Sequence, residues 1–300
     1  MDVRDQSSLG SSDILRLNFI RTPGTYRYRR HYRCGLRSHI VEVLDREELE
    51  KERTGVRRNG VMTYPRAKPL KMLRIFRTRF RGKEQAREEI RRVKKIERYL
   101  APDFMAMSEE FLVTYTGCGD PDFLLCGLQQ YVEGEALDPW RGLDGPQLEV
   151  LFARMGSPQE PGRRDRYKAW IGTLRKNAKC FVRRLQQMIL REGLVPDLAG
   201  VGNLLITHEG DIKLVDINNI STVSFDADVH LDDRGYPVCD KSIEALSLLD
   251  QNFLGDSGES GAFIYRIFLD PERMKKVKAA EVAFHRSVHG TASALESPLS

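Results

Sequence analysis

Val195-Pro196-Asp197-Leu198-Ala199-Gly200-Val201-Gly202-Asn203-Leu204-Leu205-Ile206-Thr207-His208-Glu209-Gly210-Asp211-Ile212-Lys213-Leu214-Val215-Asp216 is the stretch that decides the fold. It reads as a loop holding an acid, a short apolar run, a Glu-Gly turn, a second apolar run and a second acid. Runs of that length around a Gly turn predict a hairpin of Leu204–Ile206 with Ile212–Val215. Such a hairpin puts Asn203 and Asp216 at the same end on neighbouring backbone. An amide oxygen beside a carboxylate suits magnesium, which takes hard oxygen ligands and keeps several waters or phosphates. Asp197, one loop earlier, is then placed to accept a proton from a hydroxyl that attacks a phosphoryl group.

Outward from this segment the chain changes character. Upstream stand strand candidates at Tyr26–Tyr28, Ile40–Leu44, Met72–Phe76, Phe111–Tyr115 and Phe123–Leu128. A charged helix is predicted between the third and fourth of them. Its apolar positions Ala86, Ile90, Val93, Ile96 and Leu100 recur every three or four residues, which is one helical face. Downstream of Glu133-Gly134 the pattern is helical, with Gln147–Met155 short and Arg163–Arg191 long and amphipathic. Strands first and helices second imply an α+β chain in two parts. The divisions expected are a loose tail at 1–14, a strand-rich N-lobe at 15–130, a hinge at 131–137, a helical C-lobe at 138–290 and a second tail at 291–300.

The run from Asn203 to Asp216 resembles that of the protein-kinase superfamily between its metal-binding Asn and metal-binding Asp. Both residue types match, and Asp216 follows Asn203 by thirteen positions as the family pattern requires. The resemblance covers roughly residues 70 to 250 and implies a bilobal protein-kinase-like fold, α+β in class. It implies Asp197 as catalytic base and Asn203 and Asp216 as ligands of Mg2+. Leu128-Gln129-Gln130-Tyr131-Val132-Glu133-Gly134 looks like the hinge, so backbone near Tyr131, Val132 and Glu133 is expected to meet the adenine of ATP. Met72–Phe76 stands where the family's ATP-lysine strand belongs, with Arg74 or Lys71 as the cation. These two lie three apart on an alternating strand and face opposite ways. Glu88 and Glu89 stand where the partner glutamate belongs.

Four departures set the chain apart from the family pattern. Asp197 and Asn203 are six apart where the family has five, with Gly200 and Gly202 available to absorb the extra residue. Val195-Pro196 replaces the His-Arg before the acid, and Ala199 replaces the lysine after it. Arg74 is not a conservative stand-in for lysine, being a planar fork and not a compact ammonium. Asp216-Ile217-Asn218 replaces Asp-Phe-Gly, and Gly24 and Gly35 form no GxGxxG loop. The metal end of the machinery is kept while the phosphate clamp is altered. The functional expectation is a divergent, ATP-dependent phosphotransferase acting on a protein or small-molecule hydroxyl. The alternative is an inactive pseudokinase used as a scaffold or regulator.

Composition limits the other classes. The net charge of +5 is mild, and 41% hydrophobic with 30% charged residues describes a globular chain. Five scattered cysteines without a CxxC pair suggest neither a zinc site nor a disulfide framework, and point to a reducing, cytoplasmic setting. Residues 1–7 lack the basic head and apolar run of a secretory signal. No stretch approaches the length of a membrane span. The Tyr26–Arg37 segment interleaves tyrosine and arginine, a pattern that can stack bases, but a solvated basic strand explains it as well and nucleic acid is not an expected partner. Asp240 is read as a helix N-cap.

Overall fold

The computed structural model describes residues 2–22, 24–32, 37–116, 122–156, 162–254 and 258–295. The chain is α+β and divides into two compact units, Met1–Lys94 with Ala106–Tyr131, and Lys95–Met105 with Val132–Ser300.

The first unit holds α1 (Ser11–Leu15), β1 (Tyr26–Arg30), β2 (Ser38–Asp45), α2 (Arg46–Thr54), β3 (Val56–Arg58), β4 (Val61–Thr63), β5 (Pro69–Phe76), most of α3 (Lys83–Leu100), β6 (Ser108–Tyr115) and β7 (Asp122–Gln130). Five strands form one antiparallel sheet in the order β1-β2-β5-β7-β6. The central strands are buried on both faces, mostly by apolar side chains but with Glu42, Arg74 and Gln129 among them. On β5, Leu73 and Ile75 point to one face and Met72, Arg74 and Phe76 to the other, all buried. The Leu73 face is closed by the N-terminal segment. Val3, Leu9, Ile14 and Leu17 join Val41, Val43, Leu73, Ile75, Leu124 and Cys126 in one core. The loose tail expected at 1–14 is therefore corrected: these residues cover the sheet. The Val3 N–H donates to the Tyr115 hydroxyl at 3.3 Å, and Arg4 pairs with Asp2 at 2.7 Å and Asp122 at 2.6 Å.

Asp45 caps α2 by accepting the N–H groups of Glu47 and Glu48. The exposed β3–β4 hairpin turns through Asn59 and Gly60, both at positive φ, the backbone that a two-residue hairpin turn demands. Gly35 of the Tyr26–Arg37 segment lies outside the described residues. Within that segment Arg29 turns inward, holding Glu42 at 2.7 Å and Glu52 at 2.9 Å.

The second unit begins with the last turn of α3 and continues through β8 (Glu135–Ala136), α4 (Gly145–Met155), α5 (Arg163–Glu192), β9 (Leu194–Pro196), β10 (Leu204–Ile206), β11 (Ile212–Leu214), β12 (Ile220–Thr222), α6 (Val238–Phe253), α7 (Gly258–Phe268) and α8 (Pro271–Leu295). Its core runs along α5, from Trp170 and Leu174 through Phe181, Leu185 and Ile189, and along α6. The helix of α8 continues through residues 291–295, where a tail was expected. Asp240 is not an N-cap. The helix α6 starts at Val238 after Pro237, and Asp240 sits buried in its first turn, accepting from Arg273 Nε at 2.5 Å.

Candidate functional site

Two short ladders in the second unit fix the loops that carry the candidate residues. The β9 and β12 strands pair antiparallel with Pro196 opposite Ile220, and the Asp197 N–H donates to the Asn219 carbonyl at 2.9 Å. The β10 and β11 strands pair with Leu204 opposite Leu214, and the Val215 N–H donates to the Asn203 carbonyl at 2.8 Å. Asp197 thus leaves one ladder, Asn203 enters the other, and Asp216 lies on the return between them.

The Asn203 side chain ties two of the three together. Asn203 Nδ2 donates to the Asp197 carbonyl at 2.9 Å, which orients the amide and directs Oδ1 away from that bond. Gly200 makes this approach possible, since a Cβ there would lie 2.5 Å from Asn203 Nδ2. Gly202, at φ +94°, supplies the left-handed turn back into β10. The extra residue between Asp197 and Asn203 is taken up here. Asp197 Oδ1 accepts the N–H groups of Ala199 at 3.0 Å and Gly200 at 3.2 Å. Burial, reinforced by the negative charge of Asp216, pushes the Asp197 carboxyl up to about 6, against the pull of those two N–H groups and of the Asn219 side chain. Asp216 Oδ1 accepts the Asn218 N–H at 3.0 Å.

A surrounding set of contacts holds the loops from outside. The Leu198 N–H donates to Ser242 Oγ on α6 at 3.2 Å, and Trp140 Nε1 donates to the Ala199 carbonyl at 2.9 Å. Trp170 and Asn177 of α5 donate to the Thr207 and Gly210 carbonyls at 3.1 Å each, clamping the hairpin turn. On the other edge, Ala136 of β8 pairs with Leu205, and Gly134 comes so near that a Cβ would stand 2.4 Å from the Ile206 carbonyl oxygen. Tyr236, whose hydroxyl donates to Glu281 at 3.2 Å, has its ionisation opposed mainly by burial and also by Glu281 and Asp197. Trp140, Ser242 and Tyr236 belong to no motif, and only the tertiary fold reveals them. Asn219 was legible, three residues past Asp216.

The donor set fits a magnesium ion delivered with phosphates. Asp216 and the Asn203 amide offer hard oxygens, and two protein ligands leave the remaining positions to water and phosphate, the usual arrangement for this ion. Among the described residues no group of three or more His, Cys, Asp or Glu side chains is placed to hold a metal.

The candidates of the first unit fare differently. Arg74 is buried on β5, its guanidinium Nη2 donating to Ser108 Oγ at 2.9 Å and to Glu110 at 3.2 Å. Arg74, Gly127 and Glu110 stand in one row across β5, β7 and β6. Gly127 lets the long side chain pass, since a Cβ there would lie 3.2 Å from Arg74 Nη2. Lys94 of α3 also reaches Glu110, at 3.2 Å. The acid that meets Arg74 is thus Glu110, which the sequence pattern did not single out. Glu88 is exposed and pairs with Arg91 at 2.5 Å. Glu89 is half-buried, 4.0 Å from Arg92, and burial raises its carboxyl above the ordinary range. Lys71 is exposed near the start of β5. Tyr131, Val132 and Glu133 lie outside the strands, between β7 and β8, with the boundary between units after Tyr131. No protein-family model matches the chain, and a search of curated proteins found no match either.

Proposed function

We propose that the chain is a divergent, bilobal kinase-like protein that binds Mg-ATP at Asn203 and Asp216 and passes a phosphoryl group to a hydroxyl aligned by Asp197. The observation that carries this is the locking of Asp197, Asn203 and Asp216 into one loop cluster by two ladders and the Asn203 side chain. The order of elements supports it too. A five-stranded sheet with a helix after its third strand in sequence precedes a helical unit, and the boundary falls inside the expected hinge.

Each residue then has a task. Asp197 has one oxygen fixed by two N–H groups, so the carboxylate is held in orientation before substrate arrives. With its acidity moved to about 6, it is ionised at neutral pH yet a better proton acceptor than an ordinary aspartate. Asn203 and Asp216 offer oxygens to Mg2+, which when bound screens the charge of the phosphates. The hydroxyl proton passes to Asp197 as its oxygen bonds to the γ-phosphorus, while the bond from that phosphorus to the bridging oxygen breaks and ADP leaves.

The pseudokinase reading is favoured by a specific observation. Arg74, one of the two cations expected at the phosphates, is buried against Glu110 and Ser108, which leaves Lys71 as the other candidate. A protein that binds nucleotide and transfers nothing would follow if no other cation replaces it.

The test is the thermal shift of the full chain with ATP, with and without Mg2+, beside Asp216→Ala. Nucleotide at 100 times its Kd stabilises by ~2.7 kcal/mol. A Mg2+-dependent shift lost in the variant supports the site, and radiolabel transfer to a mixture of hydroxyl acceptors then separates enzyme from pseudokinase. The absence of any shift at millimolar ATP with Mg2+ overturns the nucleotide reading.

A further inference from the structure

The α5 helix carries ten lysines and arginines against two acids, Asp165 and Glu192. Its buried side is spoken for by the core, from Trp170 to Ile189. The exposed side presents Arg164, Lys168, Arg175, Lys176, Lys179 and Arg183. At 3.6 residues per turn these six fall within an arc of about 120° and span about 28 Å along the axis, and one exposed acid, Asp165, stands in the same arc at its N-terminal end. Among the described residues none of the six enters an ion pair, whereas Arg184, just off the stripe, holds Asp103 at 3.0 Å.

A solvated helix face ordinarily mixes signs, because like charges three or four residues apart repel. Here Arg164 and Lys168, Arg175 and Lys179, and Lys179 and Arg183 are all like-charged pairs at i,i+4. That repulsion is relieved when a polyanion lies along the stripe. We propose that this face of α5 binds the phosphate backbone of nucleic acid without reading its sequence.

The chemistry of the face selects that occupant. Within the arc stands Gly172, with small, exposed Ala169 and Thr173 flanking it, so a backbone can lie close along the stripe beyond Asp165. No bulky apolar or aromatic side chain stands among the six to anchor a protein partner, whose hot spots are aromatic and well packed. A membrane-surface helix needs a free apolar side to insert, and that of α5 is buried in its own unit. A row of long cations on a straight rod suffices for phosphates, where binding is driven by counterion release. This surface is on a different element from the Tyr26–Arg30 strand and does not depend on the nucleotide site.

Fluorescence anisotropy of a labelled 20-base-pair duplex, titrated with the full chain between 50 and 200 mM KCl, tests it. Six phosphate contacts predict a slope of log K against log salt near about −5, and a loss of about 10³-fold across that range. The triple variant R175Q/K179Q/R183Q should bind at least tenfold more weakly at 100 mM KCl, with the slope roughly halved. The control K276Q/K278Q/R286Q removes the same charge from exposed positions on α8 and should bind as the parent does. Circular dichroism establishes that both variants are folded. Equal weakening by the two triples, no binding by the parent at 50 mM KCl, or binding to phosphatidylserine vesicles in preference to the duplex would each overturn the proposal.

Discussion

Replacing Glu110 by alanine takes the carboxylate away from a buried guanidinium. In the folded protein Glu110 is fully buried and Arg74 nearly so, their side chains 3.2 Å apart across Gly127, while Lys94 reaches the other carboxylate oxygen. Removing the acid leaves the Arg74 guanidinium in a dry site without its carboxylate, while its bond to Ser108 Oγ stays. Breaking a buried pair from one side costs about 3–5 kcal/mol, because the surviving charge keeps its desolvation penalty. That is a large part of the ~5–15 kcal/mol that folded domains have in all. Urea titration followed by far-ultraviolet circular dichroism reports the loss from the strand-rich unit. Trp140 and Trp170, the two tryptophans, both lie in the second unit, so their fluorescence follows that unit separately. The double variant R74M/E110L replaces both charges with apolar groups and should recover most of the loss. A cost below about 1 kcal/mol for Glu110→Ala, or a double variant as unstable as the two single changes summed, would refute the reasoning.

Asp197 makes a prediction about pH. Its acidity is moved from 3.8 to about 6 in the folded chain, so only well below pH 3.8 are both states protonated and the site costs nothing. As pH rises from 4 to 6 the unfolded chain ionises first, and stability is withdrawn by about 1–3 kcal/mol at 1.36 kcal/mol per unit. The stability of the parent minus that of Asp197→Asn should therefore fall by that amount between pH 4 and 7; a flat or rising difference would count against the buried, Asp216-facing environment. Gly134→Ala brings a Cβ to 2.4 Å from the Ile206 carbonyl, backbone against backbone, and should cost ~2 kcal/mol or more by forcing β8 from β10. A tryptophan-monitored urea midpoint equivalent to the parent would show that the approach is looser than drawn.

Periodicity carried the helices well because their buried faces repeat along the chain. The apolar positions from Ala86 to Leu100 all fall within Lys83–Leu100, and Arg163–Arg191 misses the end of α5 by one residue. The hairpin around Glu209-Gly210 was legible for the same reason, being local. What escaped was set by distant partners. Val3, Leu9 and Ile14 sit among polar residues with no period, and only the sheet that they cover makes them core. Glu110 meets Arg74 through a register of three strands that spacing along the chain cannot encode. Asp240 has the composition of a cap but lies inside its helix, opposite Arg273. The Asn59-Gly60 turn had a readable signal; its hairpin lacks the apolar alternation that draws attention to strands, being almost wholly exposed.

The covering of the sheet by residues 3–17 has a bearing on how the chain matures. Val3 and its hydrogen-bond partner Tyr115 are 112 residues apart, and Asp122, which receives Arg4, is made later still. At ~5–20 residues per second, about 6–22 s of synthesis separate Val3 from Tyr115. Through that interval Leu9, Ile14 and Leu17 have been made but their seat on β7 does not exist, and they are free for other apolar surfaces. A holding chaperone that recognises short apolar segments has its window there, and the window closes when β7 pairs with β5.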